Sequence, residues 1–366
     1  MARSVVTVAG AGPAGLAAAI ALARKGLRVR VLERARAVGS RFHDDFQGIE
    51  NWSREQDALD ELRDGGVEPT WWMQPLRGGT LYDSARNPVA VAAGRPLFYL
   101  VRRGGGKAGS LDLGLLEQAV RAGVEVEFDR RADPAGADID ATGPRGRPFA
   151  VARGVTFEAG SGETIVAFLD DALAPGGYAY FLAAAGQATL ATVLFRDFAR
   201  VDFHLDRTIE AAEEVLGLRG IPRGPRWSGR GRFEILTVKT ARHPIAAGEA
   251  AGFQDPLFGF GIRSAIVSGI LAARSLAEGR EYADLWRERL LPHLAAGVVN
   301  RAAFTVLGDL AKIALCVAVG RSGRPERMLR LLYGPTPAHR ALYAIAVSAG
   351  ARPWLLRRRR TRRPPT

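Results

Sequence analysis

The chain has a single cysteine in 366 residues, which excludes an internal disulfide framework and a cysteine-held metal cluster. That residue, Cys316, sits in AKIALCVAV, a setting for a buried structural side chain rather than a reactive thiol. No run of 18 uncharged apolar residues occurs, so no transmembrane helix is expected. Lysine is scarce, 4 against 47 arginines, a skew that fits a coding bias as well as selection for phosphate contacts. Helix-turn-helix, zinc-finger and aromatic RNA-binding patterns are missing, so the net charge of +13 is not read as a sign of a nucleic-acid partner. Six of those charges fall in Arg357–Arg363, RRRRTRR, a tail able to meet an anionic membrane surface. What is present is ordinary globular usage, 47% hydrophobic and 24% charged, in a chain long enough for two domains with sizeable cores.

Residues 5–34, VVTVAGAGPAGLAAAIALARKGLRVRVLER, carry the strongest signal. An apolar strand, Val5 to Ala9, runs into the turn Gly10-Ala11-Gly12-Pro13-Ala14-Gly15, then an Ala/Leu-rich helix, then a second strand ending in Glu33. A nucleotide pyrophosphate needs backbone N–H groups that it can approach without a Cβ in the way. Gly10 allows the tight turn, Gly12 the close approach, and Gly15 the packing of helix on strand. The helix N-terminus offers unpaired N–H groups and partial positive charge to the phosphates. Glu33, about 20 residues on, is placed to accept from the ribose hydroxyls. Strand, turn, helix, strand and acid in register predict a bound dinucleotide. The basic start and apolar run of the first 23 residues also fit a signal peptide, but the glycine turn explains the run better, and no export signal is assigned.

Further along, SREQDALDELRDG (53–65) reads as a helix with a capping serine. Segments 67–74 and 79–93 read as strands with a bend at Arg86-Asn87-Pro88. The stretch from Arg102 to Gly109 contains GGGKAG, which is not a P-loop because no Ser or Thr follows the lysine. A helix is expected from Leu111 to Ala122, then the strand VEVEF and the small-residue turn Asp140-Ala141-Thr142-Gly143. Residues 147–203 alternate apolar and polar, as an antiparallel sheet does. Within them PGGYAYF puts Tyr178 and Tyr180 on one sheet face and Phe181 on the other, as core packing or as substrate contacts. Residues 217–232 hold five arginines among Gly and Pro and read as a solvated loop or an anion or partner site. After about residue 283 the pattern is helical; Trp354, Leu355 and Leu356 then meet the arginine tail. That end reads either as a helical cap with a frayed tail or as a membrane interface.

From Gly248 to Gly269, GEAAGFQDPLFGFGIRSAIVSG, the chain resembles the geranylgeranyl reductase family, flavoproteins of the p-hydroxybenzoate-hydroxylase-like group with a glutathione-reductase-type FAD fold. PGGYAYF resembles the family's Pro-Gly-Gly-Tyr-x-Trp segment, and Ala141-Thr142-Gly143 is shared as well; the likeness covers roughly residues 3–290. The resemblance implies FAD held by Gly10, Gly12, Pro13, Ala14, Gly15, Glu33, Arg34, Arg41, Arg102, Gly143, Gly248, Glu249, Gly259, Gly261 and Ile262, with Arg41 neutralising the pyrophosphate. A helix opening near Gly261 would aim its N-terminal dipole at the flavin. Tyr178, Tyr180 and Phe181 would meet the substrate. His43 stands where family members usually carry a cysteine near the flavin and is the candidate proton donor, or else a structural histidine. The family's ribityl aspartate is Glu249, and the Trp and Lys of its aromatic motif are missing, with Tyr180 and then Leu182-Ala183 in that region.

The expected fold is α/β (α+β overall): a discontinuous ββα Rossmann-like FAD domain (1–66, 97–146 and 234–282), an inserted antiparallel substrate sheet (67–96 and 147–233), and a C-terminal helical region (283–366). The expected activity is reduction of carbon–carbon double bonds in an isoprenoid chain, on a hydrophobic substrate and with no metal. A flavin monooxygenase and a non-enzymatic prenyl-binding escort are the alternatives. With no second GxGxxG, the electron donor would be NAD(P)H or a redox protein docking transiently. A cytoplasmic protein, or one peripheral on the membrane inner face, fits these readings.

Overall fold

The computed structural model describes residues 5–233 and 244–348. The arginine tail, with Trp354, Leu355 and Leu356, lies outside the described residues. Among those described, the strands form three sheets. The first is parallel throughout, in the order β15 (Ile245–Ala246), β9 (Ile139–Asp140), β1 (Val6–Ala9), β2 (Val29–Leu32), β8 (Glu125–Glu127). The chain leaves β1 through α1 (Pro13–Arg24) to reach β2 on one side, while β9 lies on the other. Strand order therefore reverses beside β1, and ligands bind outside the carboxyl ends of strands at such a point.

Helix α1 is an Ala/Leu run with Pro13 in its first turn, no side-chain cap, and every residue from Ala14 to Leu22 buried. It is covered by the sheet and by α5 (Ile262–Glu278), which crosses it closely. A Cβ on Gly269 would lie 2.1 Å from the Ala14 carbonyl oxygen. Another helix of this unit, α3 (Leu111–Arg121), is capped by Ser110, whose Oγ accepts from Leu113 N at 3.2 Å. The helix expected over 53–65 is shorter, α2 (Ala58–Asp64), and its cap is Asp57 rather than Ser53. Asp57 accepts from Leu59 N at 2.9 Å, while the Ser53 hydroxyl donates to Glu50.

The second sheet runs β14 (Trp227–Gly231), β10 (Ala150–Glu158), β13 (Gln187–Leu194), β12 (Tyr178–Ala184), β11 (Thr164–Phe168), β5 (Gly78–Tyr82), β6 (Pro88–Ala92). It is antiparallel as expected, apart from one pair: β5 joins β11 in parallel, with Thr80 opposite Val166. The β5–β6 hairpin arrives from a distant part of the chain, so no tight turn dictates its direction. Trp227–Gly231, expected as loop, is a strand at the sheet edge. Its Trp227 ring covers Gly154, where a Cβ would come within 2.4 Å of the indole. One apolar residue among arginines and glycines is too sparse a pattern to read as a strand. Helix α4 (Val201–Leu216) packs Leu205 and Ile209 on one face of this sheet, against Phe181 and Leu190.

The third sheet is β3 (Phe46–Glu50), β7 (Phe98–Arg102) and β4 (Met73–Leu76), all antiparallel. The segment assigned to the substrate unit at 67–96 is therefore split, its first strand pairing with β7. The C-terminal region is helical as expected: α6 (Tyr282–Arg289), α7 (Leu291–Leu307), α8 (Asp309–Arg321), α9 (Pro325–Tyr333) and α10 (Pro337–Ser348). No single helix among the described residues is long and apolar enough to cross a membrane. Buried Glu61 of α2 ties several segments together, accepting from Arg54, from Arg263 of α5 at 2.7 Å and from Arg289 of α6 at 2.6 Å. Burial would raise its carboxyl, but the three guanidinium groups outweigh that and hold it down to about 2.

Candidate cofactor and substrate cavity

One cavity of about 730 Å³ runs from the turn after β1 to the sheet of β12 and on to α8 and α9. At its first end Gly10 adopts φ +101°, and a Cβ there would meet the Ala141 carbonyl oxygen at 2.5 Å. Gly15 packs inward, since a Cβ on it would lie 1.9 Å from the Gly10 oxygen. Gly12 is different: a Cβ there would meet nothing within 4 Å, so the space above it lies free for a ligand. Pro13, Ala14, Glu33, Arg34 and Gly143 line the same end. The Glu33 carboxylate accepts from Ala11 N at 2.8 Å and Ala35 N at 2.9 Å, which fixes it at the edge of the turn.

The middle of the cavity is lined by Arg41, Gly248, Glu249, Gly259, Gly261 and Ile262. Gly261 caps α5, so a second helix N-terminus opens here with no side chain closing it. Arg41 pairs with Glu249 at 3.6 Å. The Glu249 Oε2 is buried and has no hydrogen-bond partner. Burial pushes Glu249 up, partly opposed by Arg41 and Arg103. A buried carboxylate oxygen that meets Arg41 only at ion-pair distance, two open helix N-termini and the space over Gly12 are the features that the hydroxyls and pyrophosphate of FAD would fill. The residues present fit that cofactor.

The loop before α5 is held from three sides. Asp255 accepts from Leu257 N at 3.0 Å, Phe258 N at 2.8 Å and the Tyr333 hydroxyl at 2.8 Å. Arg301 of α7 is buried and donates to the carbonyls of Pro256, Leu257 and Gly176. Burial drops its guanidinium to about 10, against the pull of Asp255. Tyr178 donates its hydroxyl to the Phe258 carbonyl at 2.6 Å. Tyr178 and Tyr180 both line the cavity, and burial raises both phenols.

Three candidate residues stand elsewhere. His43 is exposed and outside the cavity lining; its backbone N–H donates to Asp45 Oδ1 at 3.0 Å. Phe181 points to the opposite sheet face, where it packs under α4. Arg102 lies over the Trp72 ring at 4.7 Å, and its neighbour Arg103 takes the cavity position. Arg103 is clamped by Asp112, Nε to Oδ2 and Nη2 to Oδ1, both at 2.9 Å. Burial would weaken its charge, but Asp112 outweighs that and raises it.

Asp45, which beside Asp44 in the sequence reads as one of two solvated acids, is buried instead. It lines the cavity at 1% exposure and accepts from His43 N and from Gln47 Nε2, the latter at 2.9 Å. Burial raises its carboxyl, only partly offset by those donors and by Arg103. Paired acids in a polar stretch give no sign of which one turns inward. Arg301 did leave a signal, as a lone arginine in the apolar stretch AAGVVNRAAF.

Residues 8–49 match the family described as an NAD(P)-binding Rossmann-like domain. A geranylgeranyl bacteriochlorophyll reductase-like protein from Thermoplasma acidophilum is similar in structure, with TM-score 0.71 and 19% identity over 94% of this chain and 96% of that one. A flavin-dependent brominase gives 0.63 and 18% over 95% and 100%, and a 2-methyl-3-hydroxypyridine-5-carboxylic acid oxygenase 0.56 and 17% over 88% and 97%. The chain has the fold of the flavin-dependent oxidoreductases. At these identities the fold is what is shared. No curated sequence relative matches the chain. Within this flavoprotein fold, the parallel sheet and α1 form the Rossmann-like part, and the inserted sheet and C-terminal helices close the far end of the cavity.

Proposed function

We propose that this protein is an FAD-dependent oxidoreductase that reduces carbon–carbon double bonds in an isoprenoid chain. The observation that carries the reading is the far half of the cavity, which continues from Gly261 into apolar walls. Leu81, Ile165, Leu182 and Val193 come from the sheet, and Leu315 and Leu329 from α8 and α9. Each buried CH₂ contributes about 0.8 kcal/mol, so one five-carbon unit adds several kcal/mol and long apolar chains are favoured over small rings. The bound, reduced flavin supplies the hydride. The chain's own residues exclude water, fix the Pro256–Phe258 segment ahead of Gly259 through Tyr178 and Arg301, and hold a proton on Asp45, whose burial keeps its carboxyl protonated to higher pH than an exposed one. NAD(P)H or a redox protein would dock transiently to reduce the flavin.

Oxygen insertion is the second reading, favoured by the brominase and oxygenase that share the fold. The two readings part in one experiment. Reduced protein is given geranylgeranyl lipids without air, and separately a phenol in air, with products followed by mass. A gain of two hydrogens per reduced bond in the lipid supports the reductase; a hydroxylated phenol with unchanged lipid transfers the case to the oxygenase.

A further inference from the structure

The outer face of α8 poses a physical problem that the cavity does not. Val306 and Leu307 end α7, and Leu310 begins the first turn of α8 three residues later; they are 60%, 52% and 71% exposed. Ala314 and Val317 continue the exposed stripe at helical spacing, i+4 and i+7 from Leu310. The one lysine of α8 does not relieve this. Lys312 is 1% exposed and turned inward onto Asp171, with Nζ to Oδ1 at 2.6 Å. The outward face from Leu310 to Val317 is therefore uncharged. An apolar helix face of this length is ordinarily covered.

The chain beyond this stripe is cationic. Arg321 falls on the same face, one turn past Val317, and Arg324 and Arg327 come next; all three are exposed, with no ion pair among the described residues. Residues 290–348 carry seven Lys and Arg (Arg301, Lys312, Arg321, Arg324, Arg327, Arg330, Arg340) against Asp309 and Glu326, a net +5. An apolar stripe bordered by arginines whose stems can lie along it while their heads reach outward suits a lipid interface with anionic headgroups. The inner side of the same helix supplies a second argument. Leu315 and Val319 of α8, with Leu329 of α9, wall the apolar cavity. One helix, about 10 Å across, separates an apolar cavity from an apolar outer face.

We propose that the α7–α8 corner, Val306, Leu307, Leu310, Ala314 and Val317, seats this protein on an anionic bilayer surface, and that a water-insoluble chain reaches the cavity from that side. Docking stands without the isoprenoid reading; only the direction of substrate access rests on it. The test therefore measures binding without turnover, on the full-length protein.

The protein is floated with vesicles of phosphatidylcholine alone and of phosphatidylcholine with phosphatidylglycerol. Flotation with the anionic vesicles that weakens with added salt, and falls at least tenfold in Leu310→Asp/Val317→Asp and in Arg321→Glu/Arg324→Glu, is the expected result. Retained FAD absorbance shows that a variant is folded. Leu310→Trp, a mild change at an exposed site, covers the case of a misfolded Asp variant: its emission should shift to the blue with anionic vesicles and be quenched by brominated lipid. Three results would overturn the proposal. One is no vesicle binding. Another is binding untouched by the α8 variants but abolished by truncation after Ser348, which gives the role to the arginine tail. The third is a dimer that Leu310→Asp dissociates while vesicles stay unbound, which gives the face to a second copy.

Discussion

At the scale of single residues, the cofactor end was legible and the acid that lines the cavity wall was not. Gly10, Gly12 and Gly15 are each required by a contact or a space that the sequence pattern already implied, because the pyrophosphate turn is a local structure built from consecutive residues. Gly12→Val puts two methyl groups into the open space above the turn. It should abolish FAD binding, read as loss of yellow colour in the purified protein, while circular dichroism stays that of the wild type. His43 was singled out by alignment to a family position, yet its side chain faces solvent, and Asp45 two residues on takes the wall. Which of several consecutive polar side chains turns inward depends on the bend before β3, where Asp44 adopts φ +58°. Asp45→Asn keeps the shape but holds no transferable proton. Product formation should fall on the order of 100-fold with FAD binding intact. A donor works in its protonated form, so wild-type activity should be high below the raised carboxyl pKa and decline above it. That alkaline limb should disappear in Asp45→Asn, and its persistence would assign the proton elsewhere.

At the scale of elements, those with a strong period or a motif were readable: β1, α1, β2, α3, β8, and α5 after its Gly-x-Gly. Others were hidden for physical reasons. Helix α4 was not picked out, although Leu205, Ile209 and Ala212 lie on one face and Gly217 ends it with φ +63°. The alternation of the preceding sheet runs into its first turn and the arginines after it resemble a loop, so its period is masked at both ends. Strand β14 has one buried side chain, too few to reveal a period. The parallel pairing of β5 with β11 lies in no local pattern at all, since it joins segments more than 80 residues apart. The crossing of α1 over α5 carries the prediction at this scale. Gly269→Val would drive a Cβ to 2.1 Å from a backbone oxygen that cannot step aside, forcing the two helices apart. Overpacking of this kind costs about 1–3 kcal/mol or more. The thermal midpoint should fall by several degrees, with FAD occupancy reduced because both helices open on the cofactor.

At the scale of the whole molecule, the cavity is assembled from the first turn, the inserted sheet, the Gly259–Gly261 loop and two C-terminal helices, and no window of sequence contains that assembly. The C-terminal region was read as helical but not as a wall of the site, and Arg301 shows why. Its three carbonyl partners lie 44 to 125 residues away. Glu61 and its three arginines hold distant segments together in the same way, and this has a pH signature. Its carboxyl is held at about 2 in the folded protein against 4.5 unfolded, so its contribution is complete above pH 4.5 and is lost as pH falls toward 2. At 1.36 kcal/mol per unit the loss reaches about 3 kcal/mol. Glu61→Gln should lower the melting midpoint at pH 7 and flatten its decline between pH 4.5 and 2; parallel curves for the two proteins would remove Glu61 from the account.

The proposed function requires one cavity to hold FAD and an unsaturated isoprenoid chain together, within reach of each other. The most direct measurement is the flavin absorbance of dithionite-reduced protein, followed without oxygen after addition of a geranylgeranyl lipid or its fully saturated analogue. Return of the oxidised flavin spectrum with the unsaturated lipid alone, one flavin oxidised per double bond lost, is the result predicted. A spectrum that stays reduced with both lipids and returns at once when oxygen and a phenol are admitted would contradict it.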